Sequence, residues 1–250
     1  MQDKQSVYDK DGFFDLYQKL RSNPNSLNEI VEKPTMLGLV GDVSDKRILD
    51  LGCGCGEHLK LYLERGAEFV AGIDLSQAML QQAAKNLAEF RPHFLLEQAP
   101  MERLDQLNEG GFDLITSSFS FHYVQDFPAL LAKIYAKLKP NGQLVFSQEH
   151  PIVTCYQGGE RWEKDAQKQQ IAYRLNFYRD EGERQRNWFK QPFTTYHRTT
   201  ATIINNLISA GFHIEQMAEP MLADQPQWQD EFKDLQHRPV LLFVKARKNT

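Results

Sequence analysis

"RILDLGCGCGEH", from Arg47 to His58, decides how the rest of the chain is read. Aliphatic residues run into Asp50, and glycines then occupy positions 52, 54 and 56 before "EHLKLYLERG", a stretch with helical periodicity closed by Gly66. A buried strand that turns into a helix through glycines suits a nucleotide, because glycine lets backbone approach a ligand that side chains would hold off. A phosphate loop would close with Gly-Lys-Ser/Thr, whose lysine meets the β- and γ-phosphates. Here Glu57 and His58 follow, and a carboxylate there repels a triphosphate. A dinucleotide fingerprint needs Gly-x-Gly-x-x-Gly. Counted from Gly52 its last position is Glu57, and counted from Gly54 it is Leu59, so neither frame fits.

An adenosyl sulfonium ligand, S-adenosylmethionine, fits better. Asp50 attracts its ammonium group directly or through water, and Gly52, Gly54 and Gly56 clear room for the backbone to lie along it. Asp74 ends the next strand-like run, "EFVAGIDLS", about twenty residues after the first glycine, the offset at which an acid reaches ribose hydroxyls. In "QAPMERL", Met101 is placed to press on adenine, with Glu102 or backbone facing its amino edge, and Met79 covers the other ring face. Methionine is also a common core filler, so packing is the competing account of Met79 and Met101. Cys53 in the loop and Leu75 beside Asp74 complete the cofactor-contacting set.

Outward from this point strands and helices alternate: "HFLLEQA", then "GFDLITSSFSF" after a Gly-Gly turn, then the helix "FPALLAKIYAKLKPNG" and the strand "QLVFSQEH". Ser76 caps the helix "SQAMLQQAAKNLAEF". This rhythm predicts a parallel sheet with helices on both faces. Beyond Pro151, "IAYRLNFYRDEGERQRNWF" alternates about an Asp-Glu-Gly turn, which predicts a hairpin. "TTATIINNLISAGF" returns to helix, and "HIEQMAEP" and "RPVLLFVKAR" are strand-like. The segment to about Val43 reads as helices broken by prolines.

"ILDLGCGCGEH", "GIDLS", "QAPMERL" and "FDLITSSFSFHYVQD", in that order, resemble the class I S-adenosylmethionine-dependent methyltransferases, most closely the small-molecule branch with an Asp-x-Gly-x-Gly-x-Gly loop. "FSQEHPI" and "YHRTTATIINNLISAGF" resemble a bacterial subgroup of that branch. The core resemblance covers about Lys46 to Pro151. It implies an α/β fold: a Rossmann-like, seven-stranded, mostly parallel sheet with one antiparallel strand, here the terminal "PVLLFVKA". The expected layout is a single domain over residues 1–250. Residues 1–45 form an N-terminal helical cap, 46–151 and 196–250 the core, and 152–195 a β-hairpin lid. The resemblance also implies that Ser117, after the fourth strand, supports the methionine end, and that Tyr17 and Arg21 close over the cofactor. Those two stand at a spacing that an ordinary helix surface explains equally well.

Methyl transfer is an in-line displacement in which positive charge leaves sulfur, so alignment and exclusion of water carry much of the catalysis. A base is needed only for an acceptor that must lose its proton early. Ligands sit beyond the carboxyl ends of the strands. His122 and Tyr123, Glu149 and His150, and Tyr196, His197 and Arg198 fall there, making His122, His150, Tyr196 and His197 the candidate catalytic groups. Against this, His150 before Pro151 would merely fix a turn and His197 would help to start a helix. The chain has "SSFS" where amine-methylating branches carry Asn/Asp-Pro-Pro-Tyr/Phe, which leaves O-, N-, S- and C-methylation of small molecules open.

The totals narrow the field. Across 250 residues, 41% hydrophobic and 25% charged content argues for one globular unit, and a net charge of −4 supplies no global field for nucleic acid. Aromatic residues (Trp162, Tyr173, Phe177, Tyr178, Trp188, Phe193) and arginines (Arg174, Arg179, Arg184, Arg186) interleave in the lid, so RNA methylation is the alternative reading, and salt-dependent RNA binding would mark it. A third reading is an S-adenosylmethionine-binding module without turnover. The three cysteines form no disulfide framework, and the Cys-x-Cys pair lacks the further ligands of a metal site. No signal-like start or long apolar run is present, so a cytoplasmic protein without a membrane span is expected. S-adenosylhomocysteine would be the product, and the oligomeric state is left open.

Overall fold

The computed structural model describes Asp9, Phe14, Lys19 and residues 23–188, 191–221 and 232–249. Its centre is a seven-stranded sheet built from β1 (Arg47–Leu51), β2 (Phe69–Asp74), β3 (Phe94–Gln98), β4 (Phe112–Ser117), β5 (Leu138–Glu149), β10 (Phe212–Ala218) and β11 (Leu241–Lys248). They lie in the order β10-β11-β5-β4-β1-β2-β3. All pairings are parallel except those of β11, which runs antiparallel to both β5 and β10. The expected fold and its antiparallel terminal strand are both found. Strand order reverses between β1 and β4, and a ligand crevice opens at such a reversal.

Alternate side chains of each strand feed opposite faces. In β1, Leu49 and Leu51 join one core with α4 (Phe127–Lys137) and α6 (Thr200–Ser209). Ile48 joins the other, with α1 (Lys33–Val40), α2 (Glu57–Glu64) and α3 (Gln77–Asn86). Both faces are therefore covered, as near-continuous apolar strands require. Ser76 caps α3 as its position suggested, accepting a hydrogen bond from the Met79 amide at 3.2 Å.

Two local expectations are corrected. Pro34 does not break the N-terminal helix. A wide turn, Asn28–Glu32, runs into α1, with the Lys33 amide bonded to the Asn28 carbonyl five residues back. Proline at the first turn of α1 then costs no interior hydrogen bond. The hairpin expected across the Asp-Glu-Gly turn is also absent. The lid instead contains two separate hairpins: β6 (Trp162–Lys164) with β7 (Gln170–Tyr173), and β8 (Gly182–Trp188) with β9 (Gln191–His197). β9 thus crosses the expected lid boundary at residue 195. A short helix, α5 (Pro151–Thr154), joins β5 to the lid. Among the described residues no helix is long and apolar enough to cross a membrane.

Candidate active site

The glycine loop is anchored to the neighbouring strand by its own backbone. The amides of Gly52 and Cys53 both donate to the Ile73 carbonyl, at 2.8 and 3.0 Å. Gly54 then donates to one oxygen of Asp74 at 2.8 Å, while the Ser76 amide donates to the other at 2.8 Å. Loop and carboxylate are thus locked together at the ends of β1 and β2. Gly52 has φ +75°, and a Cβ there would come within 2.7 Å of Ser120 Cβ and 3.5 Å of Met101 Cε. Gly54 has φ +52°, and a Cβ there would meet nothing within 4 Å, so this glycine borders open space. Cys53 is buried against Gly72, Cys55 Sγ lies 3.4 Å from Met79 Sδ, and Met79 itself is buried. Among the described residues no cluster of three or more His, Cys, Asp or Glu could hold a metal ion.

Buried polar groups line the underside. Asp50 is 2% exposed and accepts from Thr116 Oγ1 at 2.8 Å; burial pushes its carboxyl up. The Ser117 hydroxyl donates to the Leu51 carbonyl at 2.8 Å and contacts Ser120 Oγ, so it ties β4 to β1. Asp74 is pushed up to about 6, chiefly by burial, although the amides of Ser76 and Gly54 pull the other way. Asp9, from the N-terminal segment, accepts from Ser76 Oγ at 2.6 Å and from the Ala78 amide at 3.2 Å. Asp9 therefore reaches the start of α3, beside Asp74. Leu75 is half-buried, with its carbonyl accepting from Gln98 Nε2 at 3.3 Å, and the Glu102 carbonyl accepts from Lys133. Tyr17 and Arg21 lie outside the described residues.

The four candidate catalytic residues differ in what holds their polar atoms. His122, just after β4, is 4% exposed and stacks on Tyr123 with ring centroids 4.3 Å apart. Its Nδ1 has no hydrogen-bond partner among the described residues, and burial pushes the ring down to about 4. Glu149, Arg186 and Arg198 act on it electrostatically, and Glu149 is ion-paired with Arg186. Tyr123 meets Phe193 of β9 at 6.1 Å, which brings the β8–β9 hairpin over this corner.

His150 and His197, by contrast, have both ring nitrogens engaged. His150 Nδ1 accepts from the Ile152 amide at 3.1 Å as the cap of α5, and Nε2 lies 2.8 Å from Glu219. His197 joins Thr154 Oγ1 at 2.7 Å and the Tyr178 carbonyl at 2.8 Å. Those bonds hold a turn and dock the hairpin, and leave neither ring a nitrogen for proton transfer in this conformation. Tyr196 falls on the opposite face of β9 from Phe193, Thr195 and His197, because strand side chains alternate. Tyr196 and His197 therefore cannot both face one pocket from this strand.

The open glycine cradle with a carboxylate oriented beside it fits an adenosyl ligand bearing free ribose hydroxyls. Residues 48–142 match the model of the methyltransferase domain family. The chain is 34% identical to an S-adenosylmethionine dependent methyltransferase from Mesorhizobium loti, with a TM-score of 0.79, covering 89% of this chain and 100% of that one. The chain belongs to the S-adenosylmethionine-dependent methyltransferases. An uncharacterized protein of Haemophilus influenzae is 66% identical over 99% of both chains. A ubiquinone biosynthesis O-methyltransferase of Alkalilimnicola ehrlichii is 38% identical, over 43% of each chain.

Several groups in this methyltransferase went unnoticed in the sequence. Glu32, 1% exposed on the N-terminal helix, accepts from Ser118 Oγ at 2.5 Å and Ser147 Oγ at 2.7 Å. Its other oxygen lies 3.6 Å from His58 Nε2. Burial alone would raise its carboxyl, but His58, Ser118 and Ser147 together hold it below the ordinary range. Its only signal was an acid among the apolar positions of "NEIVEKPTMLGLV". Arg186 and Arg198 were visible as lid and post-lid cations, but nothing local showed that both face inward.

Proposed function

We propose that this methyltransferase acts on a small-molecule acceptor seated beyond the carboxyl ends of β4 and β5, beneath the β8–β9 hairpin, with His122 as the proton-accepting group. The observation that carries this reading is the unpartnered Nδ1 of buried His122, set beside the Glu149–Arg186 pair. When bound, S-adenosylmethionine supplies a methyl carbon on positive sulfur and leaves as S-adenosylhomocysteine. Asp74 would hold the ribose hydroxyls, its carboxylate already aimed by two amides. Gly52, Cys53, Gly54 and Gly56 would lie along the methionine end, near the field of Asp50 and the backbone at Ser117. Met101, over Gly52, and Met79, Leu75 and Glu102 would border the adenine. In our reading Tyr17 and Arg21 close over the ligand. His122, neutral at physiological pH, can accept a proton as the acceptor atom attacks. The hairpin excludes water from the reacting centre. We read the chain as a single cytoplasmic domain whose lid begins at residue 152 and closes with β9, just past the expected boundary at 195.

At the acceptor corner a nucleic-acid acceptor is disfavoured by Arg184 and Arg186, whereas Arg174 and Arg179 lie exposed elsewhere on the lid. Arg184 is 6% exposed and donates to the Asp180 and Glu183 carbonyls, and Arg186 is committed to Glu149. Neither offers an open cationic surface to phosphates. The test is a screen of small-molecule acceptors for release of S-adenosylhomocysteine, with His122→Gln in parallel. Turnover that falls at least tenfold in the variant, with cofactor affinity kept, supports the reading. Turnover only on RNA, or no turnover on any acceptor while cofactor binds, sinks it in favour of the RNA or binding-module alternative.

A further inference from the structure

Arg238 stands between the 3₁₀ turn Lys233–Gln236 and β11, in a place no step above uses. Its guanidinium carbon lies 4.7 Å from the Tyr173 ring and 5.5 Å from the Trp162 ring. Those two rings meet edge to face at 5.1 Å across the β6–β7 hairpin. One nitrogen, Nη2, donates to Asp234 at 3.1 Å. The side chain is only 10% exposed, yet Nε and Nη1 find no hydrogen-bond acceptor among the described residues. Charged donors left bare in a desolvated site are costly, and an arginine buried without its full complement of acceptors is poised to receive one.

The position adjoins the proposed acceptor pocket. The Val240 carbonyl accepts from the His150 amide at 2.8 Å, Leu241 pairs with Glu149, and Tyr173 Oη donates to the Ile152 carbonyl at 3.3 Å. Arg238 and its two rings therefore flank the end of β5, where Glu149 meets Arg186 next to His122. Rings beside a cation select a flat or apolar body attached to an anion. Because Asp234 already offsets part of the charge, a monoanion is matched better than a dianion.

Resting on the functional reading above, we infer that the methyl acceptor carries a carboxylate, which Arg238 receives through Nε or Nη1 while Trp162 and Tyr173 pack against the acceptor's body. The experiment is calorimetric titration of the protein saturated with S-adenosylhomocysteine, using benzoate, its neutral isostere benzamide, and inorganic phosphate as probes. Benzoate is expected to bind at least tenfold more tightly than either other probe. Arg238→Gln should erase that preference while leaving S-adenosylhomocysteine affinity unchanged. Should that variant misfold, Arg238→Lys keeps the charge but loses the planar fork, and benzoate should weaken severalfold. Equal binding of benzoate and benzamide, preference for phosphate, or a preference that survives in a folded Arg238 variant overturns the proposal. Loss of S-adenosylhomocysteine binding by the unaltered protein would instead defeat the cofactor assignment, and the benzoate–benzamide contrast, run without cofactor, would still judge Arg238.

Discussion

Asp74 shows how one carboxylate can couple cofactor affinity to pH. Its folded value, about 6, lies above the ordinary 3.8, so protonation of the apo protein sets in as pH falls through 6. That uptake favours the folded apo state, fully so below 3.8, and the gain is lost as pH rises through 6. Ligand binding responds with the opposite sign, since only the ionised group accepts from both ribose hydroxyls. S-adenosylhomocysteine affinity should be level above pH 7 and weaken below pH 6. In Asp74→Asn it should be roughly tenfold weaker and flat with pH, and calorimetry across this range checks both. His122 titrates in the other sense. Its ring is neutral in the fold down to about 4, whereas the unfolded ring takes up a proton near 6.5. Stability should therefore fall between pH 6.5 and 4, by up to about 3 kcal/mol from this group. Denaturant titrations at pH 7 and 4.5 should show a smaller pH effect in His122→Gln. Asp74 and the glycine loop were readable because their spacing is local. The turn that His150 fixes through the Ile152 amide is local and was readable too, whereas its contact with Glu219 and the bonds of His197 to Thr154 and Tyr178 come from distant residues that no local pattern announces.

At the scale of elements, Glu32 is the bolt between the N-terminal helix and the sheet. It gathers hydroxyls from the loop after β4 and from β5, and reaches His58 in the first turn of α2. Replacing it with alanine strands Ser118 and Ser147 and opens a polar void. The expected loss is about 2–4 kcal/mol, measured as a shifted urea midpoint with unchanged slope. Because these groups adjoin Asp50 near the end of β1, next to the glycine loop, cofactor affinity should fall as well. The helices and sheet strands were legible from periodicity and caps. The hairpin pairing was not: residues 171–189 alternate in sequence, but β7 turns back on β6 and β8 runs on to β9. Alternation marks extended chain and leaves the partner open, whereas the inward arginines and outward Glu183, Gln185 and Tyr196 are consequences of that choice.

For the whole molecule, both core clusters share the central sheet, and the cofactor cradle sits on the ends of β1 and β2. A ligand bound there should stabilise the domain as one cooperative unit. At one hundred times its dissociation constant, S-adenosylhomocysteine adds about 2.7 kcal/mol. That corresponds to a Tm rise of roughly 5–10 °C for a chain of this size. Differential scanning calorimetry with and without the ligand checks it, and NAD at matched concentration should leave Tm unchanged. What the sequence by itself determined was the doubly wound parallel sheet and the glycine–Asp74 cradle, because hydrophobic period, glycine spacing and helix caps act over a few residues; the antiparallel last strand was implied by the family resemblance alone. Only tertiary structure decided which histidine keeps a bare nitrogen, that Glu32 rather than a loop acid bolts the N-terminal helix down, and that Arg238 is buried with donors to spare. Burial and hydrogen-bond satisfaction depend on residues brought together from distant parts of the chain, and no local spacing encodes them.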